Sequence, residues 1–340
     1  MLGYAASQFQ NRSPAIQGTI RTDYRSAEGA RTSVAVIIPT YNMAWCLERA
    51  VLSCLSQTHS PEEIIIVDDC SSDDTAEVVH GLMARDCSIR YQRLRQNGGH
   101  LVALLYGLRF SRSDWVALLD ADDELTPDSI ERRVEAASNY YVHAGEWPQL
   151  VYGDLYWGAV ASSRIGHFKT LQGREFRFLS RELSLCQTST IMLGSEAIAV
   201  FPEVMNPYNT DDEIVLAVGK RFPLVHAGVP VAVVHAHASP TRMTNNLHLK
   251  FRGIRQLVRN HRQDIVREHG LRQLLLWRLR ILRALLEWQK EWAEKRTARV
   301  GDGSVAKILR FLYWLYGRLA CKVHFRLTSW LESRFEQMYF

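Results

Sequence analysis

The stretch Trp115-Val116-Ala117-Leu118-Leu119-Asp120-Ala121-Asp122-Asp123 sets five apolar residues directly before a cluster of three carboxylates. An apolar run of this length, entered through Ser113-Asp114, reads as a buried strand. Acidic groups crowded at its exit repel one another and resist desolvation unless a cation sits among them. Carboxylate oxygens suit hard cations such as Mg²⁺ or Mn²⁺, which also neutralise a diphosphate. The same residues also read as an acidic loop capping a following helix that Thr126-Pro127-Asp128 would begin. Taken alone, the stretch leaves both readings open.

Upstream, strands and helices alternate. Val34-Ala35-Val36-Ile37-Ile38 is a buried-strand pattern ended by the turn Pro39-Thr40-Tyr41-Asn42, and Ala44 to Gln57 reads as a helix. Ile64-Ile65-Ile66-Val67 is a second strand. It closes on Asp68-Asp69-Cys70-Ser71-Ser72-Asp73-Asp74-Thr75, where Ser72 or Asp73 suits the cap of a helix running to about Met83. Ile89 to Leu94 is a weaker third strand. After Asn97-Gly98-Gly99 a helix from His100 to Phe110 leads to the acidic strand. Such alternation predicts parallel βαβ units with ligands bound at the carboxyl ends of the strands. Further strands are expected at Leu150–Asp154 and Val229–His235 and a helix at Asp212–Lys220, with Gln187 to Met192 as an intervening segment; the pattern is continuously helical from about Leu247, apart from a break at Gly301-Asp302-Gly303.

Four strand ends therefore carry the polar groups: Thr40-Tyr41-Asn42, Asp68-Asp69, Asn97-Gly98-Gly99 and Asp120-Ala121-Asp122. On one sheet edge they suit a nucleotide. An aromatic ring such as Tyr41 packs on a base, a carboxylate accepts from base N–H or ribose hydroxyls, and a metal handles the diphosphate. Singly, each is equally a turn, a cap or a tight loop.

In this order and spacing, the motifs resemble the inverting GT-A glycosyltransferases of family 2. The resemblance rests on Val34 through Asn42, Ser56-Gln57-Thr58, Ile64 through Thr75, Asn97-Gly98-Gly99 and the DXD-like Asp120-Ala121-Asp122; it is close from about residue 34 to 130 and looser to about 245. It implies an α/β fold with a doubly wound mixed sheet, and a nucleotide-sugar donor, foremost UDP-linked. Pro39, Thr40, Tyr41, Asn42, Asn97 and Gly99 would line the donor site. Asp68 and Asp69 would hold base and ribose, and Asp120, Ala121 and Asp122 the ribose and a divalent metal, with Asp122 the direct ligand and Asp123 in support. Aligning Ile214-Val215-Leu216 with the family's late helix puts the catalytic base at Asp211, with Asp212 and Glu213 as competitors. The rival role for Asp211 is a helix N-cap, and the two are compatible. His237, in His235-Ala236-His237, would approach the metal and diphosphate, although a histidine after a strand is also a common structural feature.

The chain departs from the family where Ala103-Leu104-Leu105 stands in place of Ala-Arg-Asn. The resemblance then implies a branch acting on polyprenyl phosphates, with His100 or Arg95 as substitutes for the arginine. The absence of a Gln-x-x-Arg-Trp segment favours single-sugar transfer over processive synthesis. The expected activity is metal-dependent, inverting, hexosyltransferase-type transfer of one sugar to a glycan or lipid-linked acceptor. Two rivals stand beside it. One is a non-catalytic nucleotide-sugar-binding or scaffolding protein of the same fold. The other is a nucleotidyltransferase, which would call for a Gly-rich, basic loop that Thr40-Tyr41-Asn42 does not offer.

The 340 residues are 47% hydrophobic and 23% charged, a globular composition. Met1 to Gln17 lacks the basic and apolar regions of a secretory leader, no stretch reaches the length of a membrane span, and six scattered cysteines suggest reduced thiols, so the expected location is cytoplasmic. The net charge of +5 hides an asymmetry: from Lys250 onward 20 Lys and Arg face 8 Asp and Glu. Three regions follow: a loose arm over 1–32, a catalytic domain over 33–246 (donor half 33–123, acceptor half 124–246), and a basic amphipathic helical region over 247–340. The stripe Leu274, Trp277, Ile281, Leu285, Trp288 and Trp292, with cations around it, suits the inner face of an anionic membrane, bound through 271–340. Packing on the domain or in a homodimer is the competing expectation. No nucleic-acid-binding motif appears.

Overall fold

The computed structural model describes residues 32–158, 164–167, 172–173, 186–200, 208, 210–235, 247–267 and 270. Strand β1 (Val34–Thr40) is buried along its whole length. A run of Val and Ile with no polar alternation is what a strand covered on both faces requires. It pairs in parallel with β2 (Glu63–Asp68) on one side and β4 (Trp115–Leu118) on the other, so that Ile37 lies between Ile65 and Leu118. Strand β3 (Ile89–Arg93) extends the sheet beyond β2.

The chain leaves β3 at one edge and returns on the far side of β1, as β4. That reversal is a topological switch point, where the carboxyl ends of neighbouring strands open a crevice. Thr40, Asp68 and the residues after Leu118 all emerge there.

Helix α1 (Ala44–Leu55) connects β1 to β2 and packs beside α2 (Thr75–Met83), while α3 (His100–Leu108) lies on β1 and β2. The closeness of α3 depends on Gly107, where an added Cβ would come 2.7 Å from Ile37 Cγ2. Asp73 serves two helices: Oδ2 accepts from the Ala44 backbone N–H at 3.1 Å, and Oδ1 from the Thr75 hydroxyl.

Beyond β4 the sheet turns mixed. Its order is β3-β2-β1-β4-β9-β6-β10-β5, where β6 is Leu150–Trp157, β9 is Ile191–Gly194 and β10 is Leu224–Val234. Strand β9 inserts antiparallel between β4 and β6. Three short strands have no counterpart in the sequence reading: β5 (Glu124–Leu125), β7 (Arg164–Gly166) and β8 (Gln172–Gly173). Two or three residues cannot display a period, so only their partners β10 and β6 define them.

Helix α4 (Ser129–Ala144) ends at Gly145, which has φ 73°. Helices α5 (Ser195–Val200), α6 (Thr210–Gly219) and α7 (Leu247–Asn260) follow. Leu257, Val258 and Ile265 are buried, so the first part of the expected tail packs on the domain. The expected arm, apart from Thr32, and the amphipathic stripe of 271–340 lie outside the described residues. No helix among the described residues is long and apolar enough to cross a membrane.

Candidate active site

Strand ends β1 and β2 interlock. Asn42 takes φ 54° and Cys70 φ 65°, left-handed conformations that cost a non-glycine residue about 1–3 kcal/mol each. Hydrogen bonds hold them there. The Asn42 backbone N–H donates to Ser71 Oγ at 2.9 Å, and Asn42 Oδ1 accepts from the Ser72 backbone at 2.8 Å. Pro39 and Thr40 are buried in β1, whereas Tyr41 stays 39% exposed at the rim, its ring available to a planar ligand.

Asp68 has no accessible surface. Its Oδ1 accepts from the Ser71 backbone at 2.8 Å and its Oδ2 from the Tyr91 hydroxyl at 2.6 Å, with Arg93 Nε 3.6 Å away. In this state it ties β2 to the loop after it and to β3. Asp69 is also buried. Its two oxygens accept from Gly98 N (2.6 Å) and Gly99 N (2.7 Å), while Asn97 Nδ2 donates to the Asp69 carbonyl. Burial pushes the Asp69 carboxyl upward, partly offset by those two glycine donors. Gly99, at φ 86°, precedes α3 and aims the His100 side chain at the next strand end.

There, His100 Nε2 lies 2.8 Å from Asp120 Oδ1. Burial alone would lower the imidazole; the Asp120 carboxylate, with Asp211 and Asp122 behind it, outweighs this and raises it. Asp120, Asp122 and Asp123 each offer an oxygen within 4.8 Å of the others. Ala121, between them, is buried. Asp123 is 4% exposed, and burial, then Asp120 and Asp122, drive its carboxyl well above the usual range. Oxygen donors converging this closely, one of them buried, fit a hard divalent cation.

The loop is braced from three sides. Ser189 Oγ accepts from the Asp120 backbone N–H at 3.1 Å and donates to Asp123 Oδ2 at 2.6 Å. The His235 backbone N–H donates to Asp123 Oδ1 at 3.3 Å, and its ring meets Glu124 Oε1 at 2.6 Å. Arg49 Nη2 donates to the Asp122 carbonyl at 2.8 Å while its Nε lies 3.2 Å from Glu124. Behind this brace, a cavity of about 810 Å³ opens between α1 and Glu124–Pro127, with Trp45 and Leu52 on its wall.

Asp211, in the first turn of α6, completes the constellation. It is partly exposed, whereas Asp212 and Glu213 are 4% and 2% exposed. Burial, then the charges of Asp212 and Asp120, push its carboxyl up to about 7; its Oδ1 accepts from the Asp212 backbone N–H at 3.0 Å. The influence of Asp120 on it places the two in electrostatic reach, ninety-one positions apart in sequence.

The fold thus gathers Asp120, Asp122, Asp123, His100 and Asp211. Asp68, Asp69, Asn97 and Gly99 form an adjoining hydrogen-bonded unit, and His237 lies outside the described residues. Sequence reasoning gave no role to Ser189, Arg49 or His235. For Ser189 the available signal was a polar Gln187-Thr188-Ser189-Thr190 run set directly before apolar Ile191-Met192-Leu193.

Residues 35–193 match the model of glycosyl transferase family 2. An uncharacterized glycosyltransferase of Haemophilus influenzae is 27% identical over 150 residues, covering 43% of this chain and 60% of that protein. The putative teichuronic acid biosynthesis glycosyltransferase TuaG of Bacillus subtilis is 38% identical over 102 residues, covering 30% and 40%. The GalNAc(5)-diNAcBac-PP-undecaprenol beta-1,3-glucosyltransferase of Campylobacter jejuni is 36% identical over 115 residues, covering 32% and 36%. The matches therefore span less than two thirds of these relatives' lengths. Among solved structures, S. aureus TarS 1–349 in complex with UDP-GlcNAc superposes with TM-score 0.51 at 13% identity, over 85% of this chain and 91% of that one. This likeness is one of fold, and the fold is GT-A.

Proposed function

We propose that this chain, which belongs to glycosyl transferase family 2, moves a single sugar from a nucleotide-sugar to a hydroxyl of a glycan or lipid-linked acceptor, with inversion at the anomeric carbon. The observation that carries the reading is the convergence of the Asp120-Asp122-Asp123 cluster with Asp211, a carboxyl tuned close to neutrality. An inverting transfer needs one carboxylate to take the acceptor proton as the hydroxyl attacks in line, and that group works best with a pKa near the working pH. Asp211 has that property. Glu213 is occupied by other partners, its Oε1 accepting from Asn260 at 2.9 Å, and Asp212 is buried. This supports Asp211 over its two neighbours as the base.

On the donor side, Tyr41 would pack on the base, Asp69 and the Asn97–Gly99 turn would shape the ribose end, and Asp122 would lead the carboxylates that hold a divalent cation. Bound there, Mg²⁺ or Mn²⁺ would supply charge neutralisation for the departing nucleoside diphosphate. The relatives named for teichuronic acid and undecaprenol-linked glycans support a cell-envelope acceptor. UDP in the donor is supported by the UDP-GlcNAc named for the TarS structure.

The scaffolding alternative drew on the missing arginine at position 104. Leu104 is wholly buried within α3, so in this frame a side chain at 104 faces the core, and the residue of α3 that reaches the acidic loop is His100. This favours catalysis. The test is turnover of UDP-glucose, UDP-galactose and UDP-N-acetylglucosamine with Mn²⁺, read as nucleotide release. Release from one donor, lost with EDTA, is the expected result. Binding of UDP without release from any donor would favour the scaffolding reading.

A further inference from the structure

Glu213, two residues beyond the proposed base, is 2% exposed, and the residue beside it in space, His261, is 4% exposed. Glu213 Oε1 accepts from Asn260 Nδ2 at 2.9 Å and lies 3.1 Å from His261 Nε2, a close polar contact rather than an aligned hydrogen bond. Among the described residues, neither Glu213 Oε2 nor His261 Nδ1 has a hydrogen-bond partner. Beside the one bond from Asn260, the buried carboxyl and the buried imidazole depend on each other, because a buried polar group without a partner is costly. The other end of α6 carries a separate tie: Lys220 Nζ meets Asp264 Oδ2 at 2.5 Å. The short segment 260–264 therefore grips α6 at both ends.

We propose that Asn260 and His261 are positioning residues for the base, so that the segment following the catalytic domain takes part in the reaction through Glu213. The inference rests on the reading of Asp211 as the base. Residues two apart on a helix point about 200° away from each other. Pinning Glu213 on the inner side fixes the rotation of the first turn and so aims Asp211 outward, towards Asp120 and the site. A helix start is otherwise the part that frays. Misplacing a reacting group by about 1 Å costs on the order of 100-fold in rate. The Lys220 tie, about two turns further along, holds the helix without aiming Asp211.

The test compares full-length His261→Leu, His261→Gln and Lys220→Ala with the wild type, reading kcat and KM for the UDP-sugar that the wild type turns over, together with Tm. His261→Leu is expected to lower kcat by about 10-fold or more with donor KM unchanged. His261→Gln, which keeps a donor facing Glu213, restores most of the rate. Lys220→Ala lowers Tm and leaves kcat at the wild-type level. If His261→Leu fails to fold, Asn260→Leu is read in the same way. A kcat that follows Tm alike in both ties, or that survives in His261→Leu, overturns the positioning role while leaving the proposed function intact. A wild type that turns over no nucleotide-sugar removes the base assignment itself, and the positioning role with it.

Discussion

Asp211 and Asp123 illustrate how one group of carboxyls divides its work. Both are raised by burial and by like charge, but Asp123 is enclosed by Ser189, His235 and the turn from Asp120, whereas Asp211 retains exposure towards the site. A base works only when ionised, so turnover should rise with pH along a limb set by Asp211, at about 7 in the free chain. A cation at Asp122 would offset the push from Asp120, placing the limb at or below that value in the loaded enzyme. A profile flat from pH 5 to 8, or falling with pH, would contradict the assignment. Ser189→Ala removes both the donor to buried Asp123 and the acceptor for the Asp120 backbone. It should cost about 1–3 kcal/mol of stability and weaken Mn²⁺ binding in a titration; unchanged Mn²⁺ affinity would deny Ser189 its place behind the loop. The clustering of Asp120, Asp122 and Asp123 was legible because all three follow directly on an apolar strand. Ser189 was not, because a hydroxyl shows its partner only once β9 lies beside β4.

Among the elements, the parallel half was readable throughout, whereas in the mixed half β6, β10 and α6 were expected and the placing of β9 was not. β1, β2 and β4 are buried on both faces, so their Val-Ile-Leu runs announce them, and the helices between them carry a clear apolar face. The insertion of β9 between β4 and β6 depends on edge pairing, which leaves no trace in four residues. Helix α3 shows how sequence and site connect. Gly99 supplies the left-handed entry, His100 meets Asp120, Leu104 fills the core, and Gly107 lets the helix lie on Ile37. Gly107→Ala should therefore lower stability by about 1–3 kcal/mol through overpacking, measured by denaturant unfolding, and an unchanged midpoint would mean the helix can move off β1 freely. The rate at saturating donor should fall with it if His100 is displaced from Asp120.

For the whole molecule, Asp69, Asp123 and Asp211 all bind protons more tightly when folded than the usual carboxylate near 3.8. Their contribution to stability is complete below that value and is lost as pH rises through their folded-state pKa. Asp73 and Asp264 are shifted down and work in the opposite sense, losing their contribution only in acid. In EDTA, Tm should therefore decline from about pH 5 towards pH 8, and Mn²⁺ should raise it again at the upper end; Asp122→Asn should abolish the Mn²⁺ response. A metal-free Tm that climbs over this range would contradict the charge balance. The basic tail is proposed to rest on an anionic membrane surface. Replacing Lys307, Arg310, Arg318, Lys322 and Arg326 with Gln should release the chain from phosphatidylglycerol vesicles; retention would deny these cations that role, and a wild-type chain that does not bind the vesicles would favour packing or a dimer instead. The central claim separates holding the donor, at the acidic loop, from taking the proton, at Asp211. It is tested most directly by measuring UDP binding in Mn²⁺ alongside donor turnover for Asp211→Asn. The account predicts wild-type UDP affinity with turnover reduced by about 100- to 10,000-fold; turnover close to wild type in Asp211→Asn would contradict it.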